Sequence, residues 1–505
     1  MSATLPAFAA LLLGVLTVFG FAPFGAWALP LLTLGGLFLL WRQCRTPRAA
    51  AWIGFAFGLG LFGAGVSWVY VALSTFGEMP AVLAVVGTAG FCAYLALFPA
   101  LAGWMTARFT AVESAPRLAF GAAAWVLAEW LRGWVLSGFG WLSVGYATMG
   151  TPLAGYAPIG GVLLVSLAYA ICAALLLQAM LAVEARRARG ALLATGVAVS
   201  LWGAGFALST LEWTRPAGAP LAVSLVQGNI EQELKFHPEY RDNTLAIYAD
   251  LARRATGRLI VLPESALPMF ADEVAPEYVA LLREAAAKNG GDLLVGMFFF
   301  EPRPSSTEDD RYYNSVVSLG SAPLQIYRKH HLVPFGETIP GKAVFGWFIR
   351  NVLSIPLADQ TPGAADQEPF AVAGERLAVN ICYEDAFGGE LARRVPEATL
   401  LVNVTNDAWY GRSLAAEQHE QIAQMRALEA GRPMLRATNT GITSIIDHRG
   451  VEQARLPWFT RGILEGKVAG RSGLTPYVRV GDALAAIAAL ALAGMALLRS
   501  RARKN

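Results

Sequence analysis

The chain is 505 residues long, 55% of them hydrophobic and 15% charged, with a mean hydropathy of +0.45. Soluble domains usually carry about 25% charged residues, so a wholly soluble protein is excluded and a large membrane part is expected. The formal net charge of +3 is too small to hold a nucleic acid.

Residues 1–212 read as a series of apolar segments of about 20 residues, each long enough to span a bilayer. Helices are predicted near 5–21, 27–43, 50–75, 80–107, 117–136, 157–183 and 190–211, and an eighth near 481–498, with Pro23, Pro30, Pro80 and Pro116 as punctuation. No Lys or Arg precedes Arg42, so the first span lacks the basic start of a cleaved signal peptide and is expected to be retained. Basic residues gather at Arg42, Arg45 and Arg48, at Arg108 and Arg117, at Arg186, Arg187 and Arg189, and at Arg499, Arg501, Arg503 and Lys504. The alternate loops near 22–26 and 76–79 hold none. Because Lys and Arg accumulate on the cytoplasmic side, both termini are expected to be cytoplasmic and residues 213–480 extracytoplasmic. The expected organisation is a membrane domain of about seven spans over 1–212, a second domain over 213–480, and a last span with a basic tail over 481–505.

Glu129 and Arg132 lie three apart, so they share a helix face and can pair. The connection after them, 133–142, is rich in glycine and aromatics. It reads either as an aromatic belt with a structural ion pair or as a gate for substrate.

The composition changes at Arg215-Pro216. Strands are predicted at 221–226, 259–263, 293–300, 324–328, 377–381 and 400–405, helices near 274–289 and 415–430, and a polar loop over 302–311. Alternating strands and helices over about 260 residues imply one layered α/β domain. Three of the short apolar runs end on chemistry: Leu259 to Pro263 delivers Glu264, Leu324 to Arg328 delivers Lys329, and Leu377 to Ile381 delivers Cys382. Cys44, Cys92 and Cys172 lie in or beside apolar segments of the first half, so Cys382 has no evident disulfide partner. Alone it is a buried small hydrophobe or a reactive thiol. With a carboxylate to take its proton and an ammonium to stabilise an oxyanion, the trio suits covalent acyl chemistry. No G-x-S-x-G elbow is present, and five scattered histidines have no metal-ligand spacing. No metal or cofactor is expected. His330 and His331 read as structural.

These residues resemble the Glu-Lys-Cys triad of the nitrilase (carbon–nitrogen hydrolase) superfamily. Within it, the apolipoprotein N-acyltransferases are most similar, through Pro263-Glu264-Ser265-Ala266, the run Tyr327 to Glu337, Cys382-Tyr383-Glu384, Asn406 to Gly411 and Met425 to Glu429. The resemblance implies a multi-pass α-helical membrane domain of about 8 spans plus an extracytoplasmic nitrilase-like α-β-β-α sandwich. It implies a monomer in the bacterial inner membrane with its catalytic domain in the periplasm. It also implies transfer of an acyl chain from a phospholipid, typically phosphatidylethanolamine, through a cysteine thioester to the α-amine of a diacylglyceryl apolipoprotein. Glu264 would be the base, Lys329 the oxyanion partner and Cys382 the nucleophile, with Glu337, Tyr383 and Glu384 in support. Phe236 stands where a tryptophan is expected, so the role of that aromatic contact is open.

Two further stretches fit such substrates. The apolar segment 339–362, with Phe345, Trp347 and Phe348, reads as a lipid-facing lid or as a helix packed on the core. Trp409 and Tyr410 either line an acyl pocket or cap the core. Two rival readings are a membrane-tethered hydrolase with the same triad, and a transporter or scaffold whose extracytoplasmic domain only binds.

Overall fold

The computed structural model describes residues 4–302, 310–338 and 359–502. Most of the apolar segment singled out above, 339–358, and most of the 302–311 loop lie outside the described residues. Two compact units are present: one of Met1–Tyr70, Val82–Glu212 and Arg479–Asn505, the other of Val71–Ala81 and Trp213–Val478.

The first unit is helical: α1 Thr4–Thr17, α2 Ala28–Gln43, α3 Pro47–Gly65, α4 Ala81–Phe109, α5 Ala115–Arg132, α6 Ala157–Glu184 and α7 Ala188–Ser209, with a last helix Ala483–Ala502. Among the described residues, five helices are long and apolar enough to cross a membrane: Pro47–Gly65, Ala81–Phe109, Pro152–Glu184, Ala188–Ser209 and Ala483–Ala502. Small residues let helices approach closely where lipid gives no hydrophobic drive. A Cβ on Gly60 of α3 would lie 2.1 Å from the carbonyl oxygen of Leu11 on α1, so only glycine fits there.

The predicted helix over 50–75 is shorter than expected. It stops at Gly65, Val66 leaves helical geometry, and a three-residue turn Val69–Val71 leads into a π-helical turn, Ala72–Phe76. Uninterrupted apolarity hid that break, since no Pro or charge marks it. The Glu129 and Arg132 side chains are used structurally, the first of their two readings. Glu129 Oε1 accepts from Trp125 Nε1 and from the Val144 amide, both at 2.9 Å. Arg132 donates to the carbonyls of Phe139 (2.8 Å) and Trp141, and to Ser143 Oγ at 3.2 Å. Both side chains fasten the connection 133–144, satisfying backbone groups that lipid could not.

The second unit holds two six-stranded sheets. One is ordered β12-β1-β2-β3-β4-β5, from β1 Leu221–Gln227, β2 Leu259–Val261, β3 Asp292–Glu301, β4 Arg311–Gly320, β5 Ile326–Arg328 and β12 Gly462–Val468. The other is β11-β10-β9-β8-β7-β6, from β6 Phe370–Val372, β7 Glu375–Ile381, β8 Leu400–Thr405, β9 Met434–Thr438, β10 Ser444–Ile446 and β11 Glu452–Arg455. At the centre of each sheet the strands run parallel, with Leu259 beside both Val223 and Asp292, and Leu377 beside Leu400. Parallel strands are covered on both faces, which is why they read as continuous apolar runs. Helices α9 Arg241–Arg254 and α10 Pro276–Lys288 bury Leu251 and Leu282 against Val226, Ile260 and Leu293. Helices α11 Gly388–Arg394 and α12 Ala415–Ala430 bury Leu391 and Ala427 against Ala378, Leu401 and Met434. A short helix, α8 Gln232–Lys235, follows β1. The result is an α-β-β-α sandwich.

Candidate active site

Glu264, Lys329 and Cys382 each stand just past the end of a strand. After β2 the ladder continues for one bond, from the Leu262 amide to the Leu294 carbonyl at 2.8 Å. Pro263 has no N–H and ends it. Glu264 then lies against Gly296 of β3, where a Cβ would come 2.8 Å from the Glu264 Cα and 2.5 Å from the Pro263 oxygen. Glu264 is 6% exposed; its carboxylate accepts from Asn314 Nδ2 at 2.7 Å and lies 3.7 Å from Lys329 Nζ. Burial pushes Glu264 above the usual carboxylate range, while Lys329 opposes it.

Lys329 is 1% exposed; its amide donates to the Asn314 carbonyl and its carbonyl accepts from the Gly363 amide, both at 2.8 Å. Nζ donates to Glu337 Oε1 at 2.7 Å, and Glu337 is fixed in turn by the Val333 amide at 2.9 Å. Burial would lower the lysine, but Glu337 and then Glu264 outweigh it and hold the ammonium above its ordinary range.

Cys382 follows β7 with φ +52°, a left-handed conformation uncommon for a non-glycine residue. It opens a tight turn over Cys382–Ala386. Burial first, then the Glu264 carboxylate, push the thiol well above its ordinary range, with Lys329 working the other way. The resting cysteine is therefore a neutral thiol. It becomes a nucleophile as its proton moves to a base.

Residues 13–175 match the family model of the apolipoprotein N-acyltransferase N-terminal domain, and residues 222–477 match that of carbon-nitrogen hydrolases. An apolipoprotein N-acyltransferase of Nitrosomonas europaea is 51% identical over 98% of each chain. Proteins of that name from Methylococcus capsulatus (46%, over 93% of this chain and 91% of the other) and Ralstonia nicotianae (43%, over 97% and 93%) are also similar. The chain belongs to the apolipoprotein N-acyltransferase family.

The other residues singled out in this family member fall into distinct places. The Glu384 carboxylate accepts from Tyr327 Oη at 2.9 Å and from the amides of His330 (2.8 Å), His331 (3.1 Å) and Ile381 (2.6 Å). It thus ties the strand end bearing Lys329 to the one bearing Cys382. Tyr383 is buried beside His331 and Phe387, and His331 stacks on Phe387 at 3.5 Å. Trp409 and Tyr410 are half-buried; Trp409 meets Phe76 edge-on at 5.8 Å. Phe236, also half-buried, packs on Phe298 at 6.3 Å.

Sequence reasoning missed what lies beneath the cysteine. The Cys382 carbonyl accepts from Asn403 Nδ2 at 3.2 Å and lies 3.3 Å from His419 Nε2. His419 bridges Asp407 (2.8 Å) and Asp385 (2.9 Å), and Arg436 reaches Asp407 (3.0 Å), Asp385 (3.2 Å) and Glu420 (3.4 Å). The available signal was an arginine inside an apolar strand, Met434-Leu435-Arg436-Ala437-Thr438. Asn314, in the middle of β4, and Lys235, whose Nζ donates to the Glu264 carbonyl at 3.1 Å, were missed too.

Proposed function

We propose that the protein N-acylates apolipoproteins by a ping-pong reaction on Cys382, with a membrane phospholipid, typically phosphatidylethanolamine, as donor. The supporting observation is the buried Glu264 and Lys329, with Glu337 paired to the lysine; the Glu264 and Lys329 charges act on the thiol of a cysteine held on a tight turn. Glu264 takes the Cys382 proton and the thiolate attacks the ester carbonyl. The Lys329 ammonium stabilises the oxyanion. Collapse expels the lysophospholipid alkoxide, which takes the proton from Glu264, and leaves the acyl thioester. The α-amine of a diacylglyceryl-cysteine then attacks the thioester, its proton passes to Glu264, and the thiolate is released and reprotonated. Eight spans, both termini in the cytoplasm and the 213–480 domain in the periplasm suit two lipid substrates of the inner membrane. The protein works as a monomer.

A transferase and a hydrolase would share the same thioester and differ in the next nucleophile. Water is present at about 55 M, yet a positioned amine can reach effective molarities of about 10⁵ M or more. The test is the partition of labelled acyl groups between free fatty acid and a diacylglyceryl-cysteinyl peptide. Transfer to the peptide is expected; mostly free fatty acid with that peptide saturating would leave a tethered hydrolase.

A further inference from the structure

Lys235 ends α8 and is 1% exposed. Its Nζ donates to the main-chain carbonyl of Glu264, and no carboxylate lies within ion-pair distance of it among the described residues. A buried cation without an acid of its own is costly. Burial accordingly draws Lys235 down to about 8, with the Glu264 carboxylate and then Cys382 working against that fall.

Around the site the charges have to be counted together. Glu264, buried, and Glu337, half-buried, are two carboxylates beside a single lysine, Lys329. Left so, the cluster would carry a net negative charge, which favours the protonated form of Glu264 over the base that Cys382 needs. We propose that Lys235 is a positioning residue for acyl transfer: its hydrogen bond fixes Glu264, and its ammonium is the second cation that keeps Glu264 ionised as a base. Moving the Cys382 proton to Glu264 then leaves thiolate and Glu337 against two ammonium ions, still neutral. The groups facing Lys235 are Glu264 after β2 and Cys382 after β7. Lys329, Glu337 and Asn314 act through Glu264, and Asp407 acts through Cys382. Its own helix contributes Gln232, which accepts from Asn406 Nδ2.

This inference rests on Cys382 being the acylated residue, so both are read in one experiment. Full-length protein in detergent is mixed with p-nitrophenyl palmitate, which carries no ionisable group. The nitrophenol burst is followed from about pH 5.5 to 9.5, and the adduct on Cys382 is confirmed by mass. Wild-type acylation should rise as Glu264 ionises and fall as pH passes about 8 and Lys235 loses its proton. Lys235→Met should slow the burst about tenfold or more at neutral pH, move its acid limb up by about one unit, and lose the alkaline limb. Lys235→Arg should restore most of the rate and move the alkaline limb out of range. A Lys235→Met acid limb unchanged from wild type overturns the proposal, whatever its rate. Should that variant fail to fold, a wild-type profile without the alkaline limb, or one that Lys235→Arg leaves in place, overturns it as well. Absence of any Cys382 adduct in wild type instead sinks the reaction scheme itself.

Discussion

At the scale of single residues, the candidate base is set by hydrogen bonds that no spacing in the chain announces. Asn314 gives Glu264 a 2.7 Å donor and holds the Lys329 amide through its own carbonyl. Its side-chain bond lowers the Glu264 carboxyl, against the burial that raises it. Asn314→Ala should therefore shift the acid limb of acylation to higher pH and cost about ten- to a hundredfold at neutral pH. Asn314→Asp, which adds a like charge, should cost more. A pH–rate profile of each variant is the check, and an unmoved acid limb would deny Asn314 this role. Glu264, Lys329 and Cys382 were legible because a buried strand that ends abruptly on a chemically active residue is unusual. Asn314 and Lys235 were not, because their partner lies 50 and 29 positions away.

Among the elements, two devices hold the strand ends together. Glu384 gathers a hydroxyl and three amides from both sheets. Leaving those buried donors unpaired costs about 2–4 kcal/mol. Glu384→Ala should lower the melting temperature of the folded protein, not merely its activity; an unchanged melting temperature would show the clamp to be unnecessary. Below Cys382, Asp385 and Asp407 overcome burial and Arg436 to hold His419 as an imidazolium, up to about 9. A histidine raised in the folded state stabilises fully below its unfolded value, near 6.5, and that stability is lost as pH rises through about 9. The shift corresponds to about 3 kcal/mol. Wild type should lose melting temperature between pH 7 and 10, and His419→Gln should lose less over the same interval. Equal slopes would remove the histidine from the pH response. The sheet centres were readable as apolar runs, whereas the break after Gly65 was not, since apolarity continues through it.

For the whole molecule, the sequence told more about the number of apolar helices than about which of them cross. Every predicted helix of the first half has a counterpart, but α1, α2 and α5 are shorter or less apolar than the five long ones. Charge placement, not length, therefore carries the proposed orientation. In a background without Cys44, Cys92 and Cys172, a cysteine at the exposed Glu239 should label with an impermeant maleimide in intact cells. One at Arg187 should label only after disruption. The reverse pattern would invert the proposed topology.

The most direct measurement is the intact mass of purified protein after incubation with phospholipid alone. Wild type should gain one acyl chain, removable by neutral hydroxylamine and lost on addition of a diacylglyceryl-cysteinyl peptide, which should gain the same mass. Cys382→Ala should gain nothing, and Cys382→Ser should transfer at least about a thousandfold more slowly, because an alkoxide is far harder to generate than a thiolate. An unchanged acyl adduct in Cys382→Ala would contradict the proposed nucleophile and the reaction built on it.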